Sequence, residues 1–235
     1  MSAFVELKIA GQPRRVEFDL PAGESRPADL LPAFREFSNA FVAAAEAAAT
    51  GPISCTKGCG ACCRQLVPIR KMEARRLAAY VDSLPEPRRS TIRERFHAAA
   101  ANLVASGMRV RLDTHDALDQ RGRIALKLDY FDLGIPCPFL EEESCGIYSE
   151  RPLVCREHLV TTPAAWCAHP REGTIYTLPL HHADRAVAKL EAQPGEPDWI
   201  PLVDLLDWAE AHPGDTATAR DPREMMTVFL KDLAG

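Results

Sequence analysis

The sequence predicts a mainly α-helical protein with a small N-terminal β-hairpin, an α+β chain whose helices surround a loop-rich, cysteine-bearing metal site. Three observations carry this. Apolar residues recur at three- and four-residue spacing in several segments, the period of one helix face. A clear two-residue alternation opens the chain, the period of a half-buried strand. Eight cysteines fall in two segments rich in Gly, Pro and Ser, where neither period holds.

In the hairpin, Val5, Leu7 and Ile9 alternate with polar residues, as do Val16, Phe18 and Leu20. Gly11 and Pro13 supply turn chemistry between the two runs. A helix is expected over about residues 29–49, with Phe34, Phe37 and Phe41 on one face and Thr50-Gly51-Pro52 as its stop. The first cysteine cluster follows in a loop with Gly58 and Gly60. Leu66 to Ile69 reads as a short strand. One helix is expected from Lys71, carrying Leu77, Tyr80, Val81 and Leu84. Another begins near Pro87, carries Ile92, Phe96 and Leu103, and ends near Gly107. Residues 108–134 read as short strands and turns. Residues 135–170 read as loops with one short helix near Pro152. The tail is helical again: Leu202, Leu205, Leu206 and Ala209 form a stripe. Asp221-Pro222-Arg223-Glu224 then reads as an N-cap, first-turn proline and capping acid before Met226, Phe229, Leu230 and Leu233. The linker candidate is Gln193 to Pro197. The expected organisation is a hairpin and helix over 1–50, a cysteine-rich metal-binding domain over 51–170, and a helical extension over 171–235 packed on the same core.

A length of 235 residues suits one domain with extensions, and the formal charge is −5. The basic residues are scattered, with no dense stripe to bind nucleic acid. The N-terminus lacks the basic and apolar regions of a secretory signal. The Ala-rich run over 40–49 is too short to span a bilayer. The expected location is therefore the cytoplasm, with no membrane partner. Thiols stay reduced there, so clustered cysteines read as metal ligands or catalytic thiols and not as disulfides.

The first cluster is Cys55-Thr-Lys-Gly-Cys59-Gly-Ala-Cys62-Cys63. Glycines allow a turn that aims several sulfurs at one point, and zinc, iron and iron–sulfur centres all favour thiolates, usually four per centre. Cys62 and Cys63 are neighbours; in extended backbone their side chains diverge, so both can serve one centre only on a turned backbone. The second cluster holds Cys137, Cys145, Cys155 and Cys167 among prolines that restrict the loops in advance. Arg64, Arg151 and Arg156 lie close by in sequence, where guanidinium groups would offset the surplus charge of metal-bound thiolates. Splitting the adjacent pair between two centres would force both segments into one composite site of eight ligands. His158 and His169 lie within the cysteine region, where an imidazole could replace a thiolate. Asp113-x-His115-Asp116 reads as a solvated turn, and His181-His182 as surface.

These motifs resemble the YkgJ-type, or CxxCxxCC, family of zinc- or iron-chelating proteins. The likeness rests on three stretches: Cys59-x2-Cys62-Cys63-Arg64; Pro136-Cys137-x-Phe139-Leu140; and Cys145-x-Ile147-Tyr148-x2-Arg151-Pro152-x2-Cys155-Arg156. It covers about residues 50–170, and Cys55 stands one residue further out than the family spacing. The resemblance implies a metal-binding protein with all eight cysteines as ligands. It reaches also to flagellin lysine N-methylase, which implies the alternative: a metal- or cluster-dependent enzyme using S-adenosylmethionine. Cys55-x3-Cys59-x2-Cys62 has the radical SAM spacing. Against that form, no aromatic residue precedes the third cysteine, the preceding segment reads as helix, and no alternating strand–helix barrel pattern is present.

Overall fold

The alternating N-terminal runs form β1 (Ser2–Ile9) and β2 (Gln12–Asp19), paired antiparallel with Ser2 opposite Asp19 and Ile9 opposite Gln12. In this computed structural model of the chain, residues 1–170, 175–192, 198–214 and 217–234 are described. The reversal is made by Ala10 and Gly11, both at positive φ (49° and 80°), the two-residue turn whose twist suits a hairpin. Pro13, expected in the turn, lies in β2 opposite Lys8. Val16, Phe18 and Leu20 are buried on one face. A 3-10 turn, Pro27–Leu30, leads into α1 (Leu31–Ala48), whose Phe34, Phe37 and Phe41 are buried as their spacing requires.

After the first cysteine loop come β3 (Pro68–Ile69), α2 (Lys71–Ser83) and α3 (Arg88–Ala105). The segment over 108–134 corrects the expectation of short strands. It contains α4 (Met108–Asp113), a 3-10 turn (His115–Ala117) and α5 (Gln120–Asp132). Ile124, Leu126, Leu128 and Tyr130 alternate like a strand in sequence. Asp119 nonetheless caps a helix, its Oδ1 accepting from the Gly122 N–H at 2.8 Å. The alternation arises because α5 is apolar on two sides: Leu126 and Tyr130 are buried in the core, while Ile124, Leu128 and Phe131 line a cavity. His115 also departs from a solvated turn. It is buried, its Nδ1 is 2.5 Å from the Leu112 carbonyl, and its ring lies 4.1 Å from Trp199.

The second cysteine segment holds β4 (Leu140–Glu141), β5 (Ser144–Cys145), α6 (Leu153–Arg156) and α7 (Ala164–Cys167). Beyond it lie α8 (Ala183–Glu191), β6 (Ile200–Pro201), α9 (Leu205–Ala211) and α10 (Pro222–Ala234). β6 pairs antiparallel with β3, Ile200 opposite Ile69. α10 starts as its sequence indicates: Pro222 is its first residue, and Asp221 Oδ1 accepts from the Arg223 N–H at 2.8 Å. The linker candidate over 193–197 lies outside the described residues.

Three apolar clusters hold these elements. The hairpin, α1, α8 and α10 share the first, with the tilted rings of Phe34 and Phe229 4.6 Å apart and those of Phe37 and Phe18 5.2 Å apart; Met72 and Leu153 join it from the middle of the chain. The second joins α2, α3 and α9 to Phe139 and Ile147 of the cysteine segment. The third joins Leu66, the end of α3, α4 and α5. A buried polar knot fastens the first cluster to the cysteine region. Arg70 grips Asp184 of α8 bidentately at 2.9 and 2.6 Å. The Glu73 carboxylate accepts from the Arg70 N–H at 3.0 Å and from the Leu153 N–H at 2.7 Å. No helix among the described residues is long and apolar enough to cross a membrane.

Candidate metal centre

The first cysteine loop is docked at both ends. At its start, the Ser54 N–H donates to the Val160 carbonyl at 2.9 Å. Cys55 Sγ accepts from the Val160 N–H at 3.3 Å, and its thiol points to the His158 carbonyl at 3.5 Å. At its end, the Cys137 N–H donates to the Cys63 carbonyl at 2.7 Å, which brings the two cysteine segments into direct contact. Between these points the backbone turns: the Cys63 N–H bonds to the Gly60 carbonyl at 2.9 Å and the Gln65 N–H to the Cys62 carbonyl at 3.0 Å. The thiols of the adjacent pair lie close enough for Cys63 to raise the pKa of Cys62. The extended backbone that would send these two sulfurs apart is therefore absent. Gly60 has a separate reason to be glycine: a Cβ there would stand 2.4 Å from the Glu143 carbonyl oxygen. The loop thus lies against the β4–β5 hairpin with no room for a side chain between them.

In the second segment, β4 and β5 pair Leu140 with Cys145, and the turn residues Glu142 and Glu143 both adopt positive φ (48° and 57°). Phe139 and Ile147 are buried beside the hairpin and anchor Cys137 and Cys145 to the core. Cys155 sits in α6, whose first N–H is the one held by Glu73. Cys167 ends α7 and is buried, while the other seven cysteines are half-buried. All eight are free thiols.

Two adjoining cavities separate these side chains. One of about 560 Å³ is lined by Cys59, Cys62, Cys63, Cys137, Cys145 and Cys155. A smaller one of about 90 Å³ is lined by Cys55, Cys59, Cys62, Cys155 and Cys167. Their common wall contains Cys59, Cys62, Cys155, Tyr148, Arg151 and His158. Among the described residues, no three His, Cys, Asp or Glu side chains are gathered closely enough to hold an ion as they stand.

Six of the eight thiols are held in their protonated form. Burial pushes Cys137 up to about 12 and Cys155 well above its ordinary value. Burial also raises Cys55, Cys145 and Cys167. Cys62 is raised first by the hydrogen bond with Cys63 and then by burial. Such thiols are inert toward electrophiles, and a bound cation reverses the balance by stabilising thiolate directly. The donor set, eight thiols and one imidazole around shared space, suits a thiophilic ion such as zinc or iron.

The three arginines near the cysteines separate by position. Arg151 lines both cavities, stacks 3.7 Å over the Tyr148 ring and favours thiolate at Cys55, Cys62 and Cys145. Arg64 turns outward and forms a bidentate pair with Glu143 at 3.0 and 2.6 Å. Arg156 lines only the smaller cavity, and its guanidinium ties loops together through the Arg151 carbonyl at 2.9 Å, the Ser149 carbonyl and Asn39. His158 lines both cavities with a buried Nε2 that has no hydrogen-bond partner, whereas His169 is exposed. The second face of α5 is not evident from the sequence. Ile124, Lys127, Leu128 and Phe131 line the larger cavity at helical spacing, a signal hidden by the strand-like alternation of the same segment.

The family model of CxxCxxCC, described as a putative zinc- or iron-chelating domain, matches residues 54–172, just over half of the chain. The chain belongs to the CxxCxxCC family. Every cysteine lies inside the matched span, as do Arg64, Arg151 and Arg156. No curated protein and no solved structure matches the chain. The family description names zinc or iron as the ion, and the eight free thiols are donors of the type such ions favour.

Proposed function

We propose that this chain is a cytoplasmic metal-binding protein whose composite thiolate site draws on both cysteine segments. The ligand set is Cys55, Cys59, Cys62, Cys63, Cys137, Cys145, Cys155 and Cys167. The observation that carries the reading is the common cavity wall, where Cys59 and Cys62 of the first segment meet Cys155 of the second. The Cys63–Cys137 backbone bond supports the same juxtaposition. Arg151 is the arginine placed to offset surplus thiolate charge, with Arg64 and Arg156 bracing the loops around it. Residues 51–170 carry the site; 1–50 and 171–235 form the frame. Free thiols throughout fit a reducing compartment. A bound zinc ion would cross-link the loops, and an iron–sulfur cluster would add electron transfer.

The deciding experiment is elemental analysis with an absorption spectrum of anaerobically purified protein. Stoichiometric zinc with no visible absorption identifies a d¹⁰ thiolate centre; iron with visible bands identifies an iron or iron–sulfur centre. Absence of both metals from protein that also takes up neither on reconstitution sinks the proposal.

One observation favours a second reading, a metal- or cluster-dependent enzyme. The larger cavity has the size of a small-molecule site and a mostly apolar lining, with Gln65, Lys127, Tyr148, Arg151, His158 and Thr177 among its polar groups. An S-adenosylmethionine-using methylase is the form the sequence suggests. The barrel of radical SAM enzymes does not support it, since the described strands form only two-stranded sheets. Calorimetry of metal-loaded protein with S-adenosylmethionine separates the readings: saturable binding lost in Cys59→Ser favours the enzyme, and no heat of binding removes it.

A further inference from the structure

We propose that His158 is a metal ligand, its Nε2 joining Cys59, Cys62 and Cys155 in a shell of mixed sulfur and nitrogen donors. The inference rests on the metal-binding reading and deepens it, because chelation by the eight cysteines alone gives His158 no role.

Three observations carry it. First, Nε2 is buried and lacks a hydrogen-bond partner. A buried ring nitrogen left this way loses its hydration with nothing in exchange, so native structures seldom keep one without a purpose. Second, the ring borders the same space as the cysteines. Of the seven histidines, His158 is the one that lines the cysteine cavities, and it lines both. Third, the residue is held there by its own backbone, whose carbonyl receives the Cys55 thiol while Val160, two residues on, donates to the same sulfur. His115, His182 and His212 have ring partners elsewhere: the Leu112 carbonyl, Glu157 and the Trp208 carbonyl respectively. Imidazole and thiolate are compatible donors for one zinc or iron ion. A mixed shell also carries less negative charge than an all-thiolate one, which matters where Arg151 is the arginine at the common wall.

The test uses the full chain, stripped and reloaded anaerobically with zinc alone, and X-ray absorption at the zinc edge. The expected wild-type spectrum contains a nitrogen scatterer at about 2.0–2.1 Å beside sulfur at about 2.3 Å. His158→Ala should lose the nitrogen shell and bind zinc at least about 10-fold more weakly. His158→Cys should recover affinity with sulfur alone, and His169→Ala should leave spectrum and affinity unchanged. An all-sulfur wild-type shell, or a nitrogen shell that persists in His158→Ala, overturns this assignment while leaving the metal site standing. A wild-type chain that takes up no zinc or iron overturns both. If the alanine variant does not fold, an all-sulfur wild-type spectrum still overturns the assignment, and His158→Cys tests the origin of any nitrogen shell: its loss there supports His158, its persistence overturns it.

Discussion

The hairpin–helix end of the molecule and the cysteine loops are built on opposite principles. In the first, regular elements bring Phe18, Phe34, Phe37, Phe41 and Phe229 into one aromatic core. Aromatic burial of this kind sustains a fold unaided. In the second, secondary structure shrinks to two-residue strands and four-residue helices, the cysteines are mostly half-buried, and a cavity of about 560 Å³ stands among them. Single apolar plugs, among them Ile135, Phe139, Ile147, Leu153 and Val160, fix the loops in place of continuous packed faces. The difference teaches where each region's order comes from: packing in one, and in the other a few anchors completed, on the proposed reading, by a ligand.

The sharpest way to break this comparison is to remove metal. A site with no preformed counterpart in the unfolded chain contributes its binding energy to folding. Chelation, or Cys155→Ser, is expected to cost at least about 4 kcal/mol, seen as a fall in Tm of roughly 8–16 °C. Phe37→Ala should cost about 3–5 kcal/mol by cavity formation, in loaded and stripped protein alike. If chelation leaves thermal melting unchanged, the loops are as self-sufficient as the aromatic core and the contrast fails.

The polar knot sharpens the same comparison at its boundary. Arg70 and Asp184 are both nearly buried, so Asp184→Ala leaves a guanidinium without its counter-charge. The expected loss is about 3–5 kcal/mol in chemical denaturation. A loss below about 1 kcal/mol would show that the two regions are fastened elsewhere.

The smallest effect is a pH dependence. Burial raises Glu73 to about 7 in the folded protein, opposed by the N–H groups of Leu153 and Arg70. A carboxyl whose folded pKa exceeds its unfolded value binds a proton on folding. Its contribution is therefore full below about 4.5 and is lost as pH rises through about 7, with an upper limit on the order of 3 kcal/mol. Glu191, also raised to about 7 by burial, adds a slope of the same sign. Glu73→Gln should flatten stability between pH 5 and 7 in urea titrations. An unchanged slope would assign the dependence to other groups.

Much of this was legible in the sequence. α1, α2, α3 and α10 announce themselves because each has one apolar face and a stop or cap in the expected place. α5 did not, since a helix apolar toward both core and cavity mimics the strand period. The cysteines and their family pattern were plain, but the turn at Cys62-Cys63 was not, because it depends on the Gly60 carbonyl and on contact with Glu143. The division of labour among the arginines was equally hidden: Arg64 meets Glu143 across 79 positions of sequence, a pairing that only the fold creates.

The carboxylate of Glu73 has a practical consequence for anyone who would excise this domain. The family span, residues 54–172, includes Glu73 and both N–H groups it holds. It excludes Asp184, the partner that neutralises Arg70, and it excludes α1, α8 and α10, which cover Met72 and Leu153. A fragment cut at the family boundaries would carry every cysteine yet present a stranded cation and an uncovered apolar face. The portable unit is therefore larger than the motif: the cysteines can be transplanted only together with the frame that orients Cys155.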